Sequence, residues 1–181
     1  MPLSARATEL IRFWREAGPR QWFNKDVDFD AGFRERFLDT HLCAARRELD
    51  DWAASADGTL ALLLLLDQFP RNAFRGSAHA YATDPLARHF ARAGIDAGFD
   101  SAIEPALRLF CYLPFSHSEE LLDQEYSVGL MRALDGESLA HAESHRAIIL
   151  RFGRFPHRNA VLARPTSREE QAFLDAGGFA G

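Results

Sequence analysis

Apolar positions along this chain recur at spacings near 3.6 and seldom alternate, so the elements they predict are helices. Ser4 is placed to cap a first helix reaching about Glu16, with Leu10, Phe13 and Trp14 on one side and Gly18-Pro19 as its stop. A loop with Trp22 and Phe23 leads to Asp28 and Asp30, acids suited to the first turn of a second helix. Phe29, Phe33, Phe37, His41, Ala44 and Ala45 continue its apolar face toward Trp52, with a break expected near Asp39-Thr40. The run Leu60–Leu66 is apolar throughout, and leucine in place of valine or isoleucine favours a central helix over a buried strand, with Asp57 as its cap. Asp84-Pro85 pairs an N-cap with a first-turn proline and opens a helix through Leu86 and Phe90 to about Gly94.

Three more helices are predicted over about 103–113, from Ser116 or Ser118 to Leu134, and from Ser138 to Gly153. The last begins at Thr166-Ser-Arg-Glu169, which has the spacing of a capping box. Eight or nine helices joined by short loops make a single all-α domain over residues 1–181. An internal echo supports stacked hairpins: Leu66-Asp-Gln-Phe-Pro-Arg-Asn-Ala and Phe152-Gly-Arg-Phe-Pro-His-Arg-Asn-Ala share the Phe-Pro exit, and Phe110-Cys-Tyr-Leu-Pro114 ends a helix similarly. The prolines Pro70, Pro114 and Pro156 are 44 and 42 residues apart, a period that fits helical hairpins burying their faces on one another.

Composition narrows the class. Of 181 residues, 47% are hydrophobic and 26% charged, which excludes a disordered tail, a collagen-like repeat and a disulfide-dense module. A net charge of −5 argues against a nucleic-acid coat. Cys43 and Cys111 stand alone in apolar helical contexts, as buried thiols do. The most apolar run, Leu60–Leu66, falls far short of the roughly 20 residues a membrane span needs. With no signal-peptide pattern at Met1-Pro-Leu-Ser, the expectation is a cytoplasmic protein without a membrane or nucleic-acid partner.

The cations are almost all arginine, since Lys25 is the one lysine among 21 Lys+Arg. Residues 146–168 carry Arg146, Arg151, Arg154, Arg158, Arg164 and Arg168 with His157 and no acid, whereas residues 119–125 carry Glu119, Glu120, Asp123 and Glu125. Two readings follow. The segments pair internally, using the bidentate fork of arginine, or the guanidiniums and the Asn159 amide converge on an outside carboxylate or phosphate. Arg71, Asn72 and Arg75 follow Pro70, where the chain is expected to turn because proline lacks an N–H and restricts Phe69. Asp67 and Asn72 then either satisfy freed backbone groups or face a pocket shared by both Phe-Pro turns.

His141 and His145 are four apart, a spacing that suits a metal, but Glu143 points elsewhere and the metalloprotease pattern is absent. His145 shares a stripe with Ile148, Ile149 and Phe152 and is expected to be a hydrogen-bonded core histidine. No metal or cofactor is implied. Ser116-His117-Ser118 places hydroxyls beside an imidazole, yet adjacency does not make a nucleophile–base pair.

The strings Asp67-Gln-Phe-Pro-Arg-Asn-Ala-Phe-Arg-Gly76, Leu113-Pro-Phe-Ser-His-Ser-Glu119 with Gln124, and His145-Arg146 followed by Arg151-Phe-Gly-Arg-Phe-Pro-His-Arg-Asn159 resemble one bacterial family, domain of unknown function 924. The resemblance extends over nearly the whole chain, through Asp84 to Glu169-Glu170 and Phe173-Leu174. It implies an all-α fold similar to tetratricopeptide-repeat proteins and assigns no activity. The family's Leu-Gly-Arg after the asparagine is here Leu162-Ala163-Arg164, and the Cβ of Ala163 disfavours a positive-φ turn there.

The leading expectation is a helical binding module. Arg71, Asn72, Arg75, His117, Arg154, His157, Arg158 and Asn159 would line a cleft for an anionic small molecule or an acidic peptide end. The alternatives are a hydrolase-type enzyme, with His117 or His145 as base and Asp67 or Glu119 as its partner, and a protein-interaction scaffold whose motifs only hold turns. A surface aromatic such as Trp22 is a candidate contact of a homodimer.

Overall fold

The computed structural model describes residues 4–181. Among these the regular elements are helical throughout, with no strand. In chain order they are α1 (Ala5–Ala17), α2 (Pro19–Trp22), α3 (Val27–Ala45), α4 (Ala56–Leu63), α5 (Phe69–Ala73), α6 (Asp84–Asp96), α7 (Phe99–Ala102), α8 (Pro105–Ser116), α9 (Leu121–Met131), α10 (Gly136–Phe152) and α11 (Arg168–Asp175). Eight of these have seven or more residues, in agreement with the helix periodicity of the sequence. The chain forms two compact units, one from residues 4–75 and 79–114, the other from 76–78 and 115–181.

In the first unit, Ser4 caps α1 by accepting from the Arg6 N–H, and Asp26 caps α3 by accepting from Asp28 and Phe29. Both satisfy N–H groups that a first helical turn cannot pair. Helix α3 runs unbroken through Asp39-Thr40 to Ala45, and Trp52 lies beyond it in the short 3-10 turn Asp50–Ala54. The core is aromatic. Trp14, fully buried, packs against Trp22, Phe33 and Phe110 at centroid separations of 6.4, 5.4 and 5.4 Å. Trp22 is buried too, donating its indole N–H to the Trp14 carbonyl at 2.6 Å, so it is not the surface residue that a homodimer contact requires. The cap of α4 is Ser55, not Asp57, and a Cβ on Gly58 would lie 2.0 Å from the Trp52 carbonyl oxygen, so only glycine admits that turn.

The chain does not turn at Pro70. Helix α4 passes through a π-helical turn, Leu64–Gln68, directly into α5, in which Pro70 is the second residue. The π spacing is explicit in the Phe69 N–H, which donates to the Leu64 carbonyl. Pro70 has no N–H to offer the carbonyls one turn back, and side chains take them: the His41 Nδ1–H donates to Leu65 O at 2.9 Å and the Thr83 hydroxyl to Leu66 O at 2.5 Å. Helical geometry therefore survives the proline because its orphaned acceptors are satisfied from α3 and from the residue before α6. Pro114 likewise lies inside α8 and does not end it. Thr83, not Asp84, is the N-cap residue of α6.

In the second unit, α9 and α10 form an antiparallel-type hairpin pair joined by residues 132–135, and Asp135 caps α10 by accepting from the Ser138 N–H. Ile148, Ile149 and Phe155 make its apolar centre, with Phe152 and Phe173 packed on them. Gly153, at φ 68°, ends α10 in the left-handed conformation before Phe155-Pro156. The two Phe-Pro segments are thus not structural equivalents, since the first lies within a helix and the second follows one. The capping box falls at Ser167 and Glu170, one residue later than expected. Ala163 adopts φ 52° in spite of its Cβ, so the positive-φ turn exists without glycine.

Candidate functional site

In the first unit, the π turn and the first turn of α5 bring Asp67 and Arg71 to one side. Arg71 forms a bidentate pair with Asp84, at 2.8 and 2.9 Å, and a third contact with Asp67 Oδ1 at 3.0 Å. Burial alone would pull the Arg71 guanidinium pKa down, but the two carboxylates more than offset it and the net shift is upward. Asn72 donates to Asp30 Oδ1 at 2.7 Å, and Arg75 donates to the other oxygen of the same carboxylate at 2.5 Å. Asp30, read in the sequence as a helix-start acid, is also the anchor of the Pro70 segment. No short-range signal reveals this, because Arg75 and Asp30 are 45 residues apart.

In the second unit the acid-rich and arginine-rich segments do meet. Glu119 accepts both ends of the Arg164 fork, at 2.7 and 3.0 Å, and the Phe155 N–H at 2.8 Å. Burial pushes the Glu119 carboxyl upward, yet Arg164 and the Phe155 N–H outweigh it and hold the group below the usual carboxylate range. Arg154 pairs through both nitrogens with Glu170, which is 3% exposed, and Arg151 pairs with the exposed Glu169. Hydrogen bonds from Arg154 and the Ser167 N–H lower Glu170 to about 2 in spite of burial. Asn159 is fully buried; its amide oxygen accepts from Arg164 at 3.1 Å and its NH2 donates to Thr166. Arg154, Arg164 and Asn159 therefore tie the Phe155-Pro156 segment to α11 and to the start of the acidic stretch.

Three of the remaining nominated residues, Arg158, His145 and His157, gather around one ring. Phe155, 1% exposed, has the Arg158 guanidinium carbon 4.5 Å from its centroid, His145 at 5.4 Å and His157 at 5.7 Å. Arg158, itself buried, donates from Nη2 to the His117 carbonyl at 3.0 Å. The ring of Phe179, from beyond α11, completes the group against His145 at 4.6 Å and His157 at 5.0 Å. His145 is half-buried, and its Nδ1 has no hydrogen-bond partner among the described residues, so the expectation of a hydrogen-bonded core histidine fails at that nitrogen. Burial, with positive charge at His117, His141, Arg158 and His157, lowers its pKa to about 3. At neutral pH the imidazole is uncharged and a weak base.

Of the residues nominated for catalysis, Asp67 belongs to the first unit and Glu119, His117 and His145 to the second. Asp67 is 1% exposed and paired with Arg71; Glu119 is committed to Arg164 and Phe155. The hydroxyls beside His117 are engaged elsewhere, Ser116 with Ser127 at 2.5 Å and Ser118 with Asp123 at 2.8 Å. No cluster of three or more His, Cys, Asp or Glu residues with metal-binding geometry occurs among the described residues. None of their helices is long and apolar enough to cross a membrane. Phe155, Phe179, Arg164 and Glu170 are the participants that the sequence did not single out as site residues.

The described residues are thus all-helical, with both Phe-Pro segments held by arginine–carboxylate pairs. Residues 10–178 match the family described as "Bacterial protein of unknown function (DUF924)", and the chain belongs to it. The solved structure of a protein of unknown function from Agrobacterium tumefaciens is similar: 55% identical, with a TM-score of 0.94 over 96% of this chain and 98% of that one. No curated protein matches the sequence.

Proposed function

We propose that the protein is a binding module whose second unit holds the anionic group of a small molecule or an acidic peptide end. The observation that supports it is the convergence of His145, His157 and Arg158 on Phe155, with Arg158 also contacting the His117 main chain. Two half-buried imidazoles and a buried guanidinium against one ring provide donors to an anion in surroundings where water screens weakly. Arg71, Asn72 and Arg75 hold their own segment of the first unit in this reading, and Arg154 and Asn159 hold the Phe155-Pro156 segment of the second, since each donates to a carboxylate or side-chain oxygen of the chain itself. The α9–α10 hairpin is consistent with a tetratricopeptide-like arrangement, and a cytoplasmic setting suits the absence of a spanning helix among the described residues.

Calorimetric titration with inorganic phosphate at pH 6 tests this. Arg158→Ala abolishes binding, whereas Arg168→Ala, at the start of α11, leaves it within about twofold. Equal losses from both substitutions, in variants with intact helical circular dichroism, overturn the proposal.

A further inference from the structure

Beyond α11 the chain returns over the imidazole cluster. Gly178 donates its N–H to the Phe173 carbonyl at 2.9 Å. The ring of Phe179 then lies among other rings. Phe179 meets His145 and His157 edge-on, at 4.6 and 5.0 Å with interplanar angles of 62° and 86°, and lies 6.3 Å from Phe155. Past it, Gly181 packs so closely on His157 that a Cβ there would come within 3.1 Å of the ring. Phe179 nevertheless remains 39% exposed. A phenyl ring that three aromatic side chains contact and that remains partly exposed is a displaceable occupant.

We infer that the place of the Phe179 ring is an aryl subsite beside the anion-binding imidazoles and Arg158, filled by the chain's own phenylalanine until an aryl-bearing anion displaces it. The inference rests on the anion-binding reading above and adds the class of ligand: an aromatic ring carrying a phosphate or carboxylate. His145 and His157 would present their edges or faces to the ligand's ring as they do to Phe179, while the acidic group lies toward Arg158. Edge-to-face ring pairs are stabilising beyond the area they bury, so exchanging one phenyl for another is close to balanced and the anion tips it. Removing the resident ring lifts that competition.

The test compares phenyl phosphate with inorganic phosphate by calorimetry on the full chain and on Phe179→Ala and Phe179→Leu. Phe179→Ala is expected to tighten phenyl phosphate about tenfold, the scale of the ring contacts it frees, and to leave inorganic phosphate unchanged. Phe179→Leu keeps apolar bulk at the position and should give a smaller gain. If inorganic phosphate binds in an Arg158-dependent way but Phe179→Ala leaves phenyl phosphate unaltered or weaker, the aryl subsite is wrong and the anion site stands. If neither phosphate binds any of these proteins, both fail together.

Discussion

The hydroxyl of Thr83 donates to the carbonyl of Leu66 at 2.5 Å, and through this bond the residue before α6 satisfies an acceptor that Pro70 cannot. A buried carbonyl without a partner costs about 1–3 kcal/mol. Thr83→Val, nearly isosteric, is therefore expected to destabilise the protein by that amount in urea denaturation. Pro70→Ala supplies a main-chain N–H to the same turn, so Thr83→Val should cost less in the Pro70→Ala background. Strict additivity of the two would show that the hydroxyl does not stand in for the missing amide.

Ala163 sits at φ 52°, a conformation that costs an L-residue roughly 1–2 kcal/mol, while glycine carries an extra entropic cost on folding. The balance favours glycine. Ala163→Gly is expected to stabilise the chain by about 0.5–1 kcal/mol, read as a higher denaturation midpoint at an unchanged slope. A loss of stability would mean that the methyl group makes packing contacts worth more than the strain.

How much of this was legible depends on the reach of each signal. Helix periodicity and caps within three residues are local, so Ser4 and the main helices read correctly, and Ser167/Glu170 missed the expected capping box by one residue. The behaviour of Pro70 was not legible, because the rule that proline ends a helix assumes orphaned carbonyls, and His41 and Thr83 supply their donors from 24 and 17 residues away. The arginine partners show the same limit. Glu119 was visible as one of four acids in a stretch that could meet the distant arginine-rich segment, but its choice of Arg164 over Arg146 or Arg154, which are nearer in sequence, is a matter of three-dimensional placement. Nothing in the sequence singled out Phe179, and only the fold brings it to His145 and His157.

The ion pairs of the second unit differ in worth despite similar lengths. Glu119 is partly buried and serves both Arg164 and the Phe155 N–H, whereas Glu169 and Arg151 are 65% and 52% exposed. Exposed pairs contribute about 0–1 kcal/mol, and removing one partner of a buried pair costs about 3–5 kcal/mol. Because Glu119 is only partly buried, Glu119→Ala should cost roughly 2–3 kcal/mol and Glu169→Ala less than about 0.5 kcal/mol by the same reasoning. Comparable midpoints for the two variants in chemical denaturation would contradict this ranking.

Stability should fall on mild acidification, and the sign follows from His145. Burial and the positive charge of His117, His141, Arg158 and His157 hold its folded-state pKa near about 3, well below 6.5. Between those values the unfolded chain carries a proton at this site that the folded chain does not, so protons favour unfolding. The stabilisation is complete above about 6.5 and declines by at most about 1.4 kcal/mol per pH unit as the pH drops toward about 3. Burial also lowers His41, which adds slope of the same sign. Glu170, lowered from 4.5 to about 2 by Arg154, keeps its contribution until the pH falls below about 4.5, so the interval from pH 6.5 to pH 5 isolates the histidines. Urea denaturation across that interval should show a steeper loss for the natural chain than for His145→Phe, which retains a ring against Phe155 and Phe179 but cannot titrate. Equal slopes in the two proteins would mean that His145 keeps an ordinary pKa in the folded state.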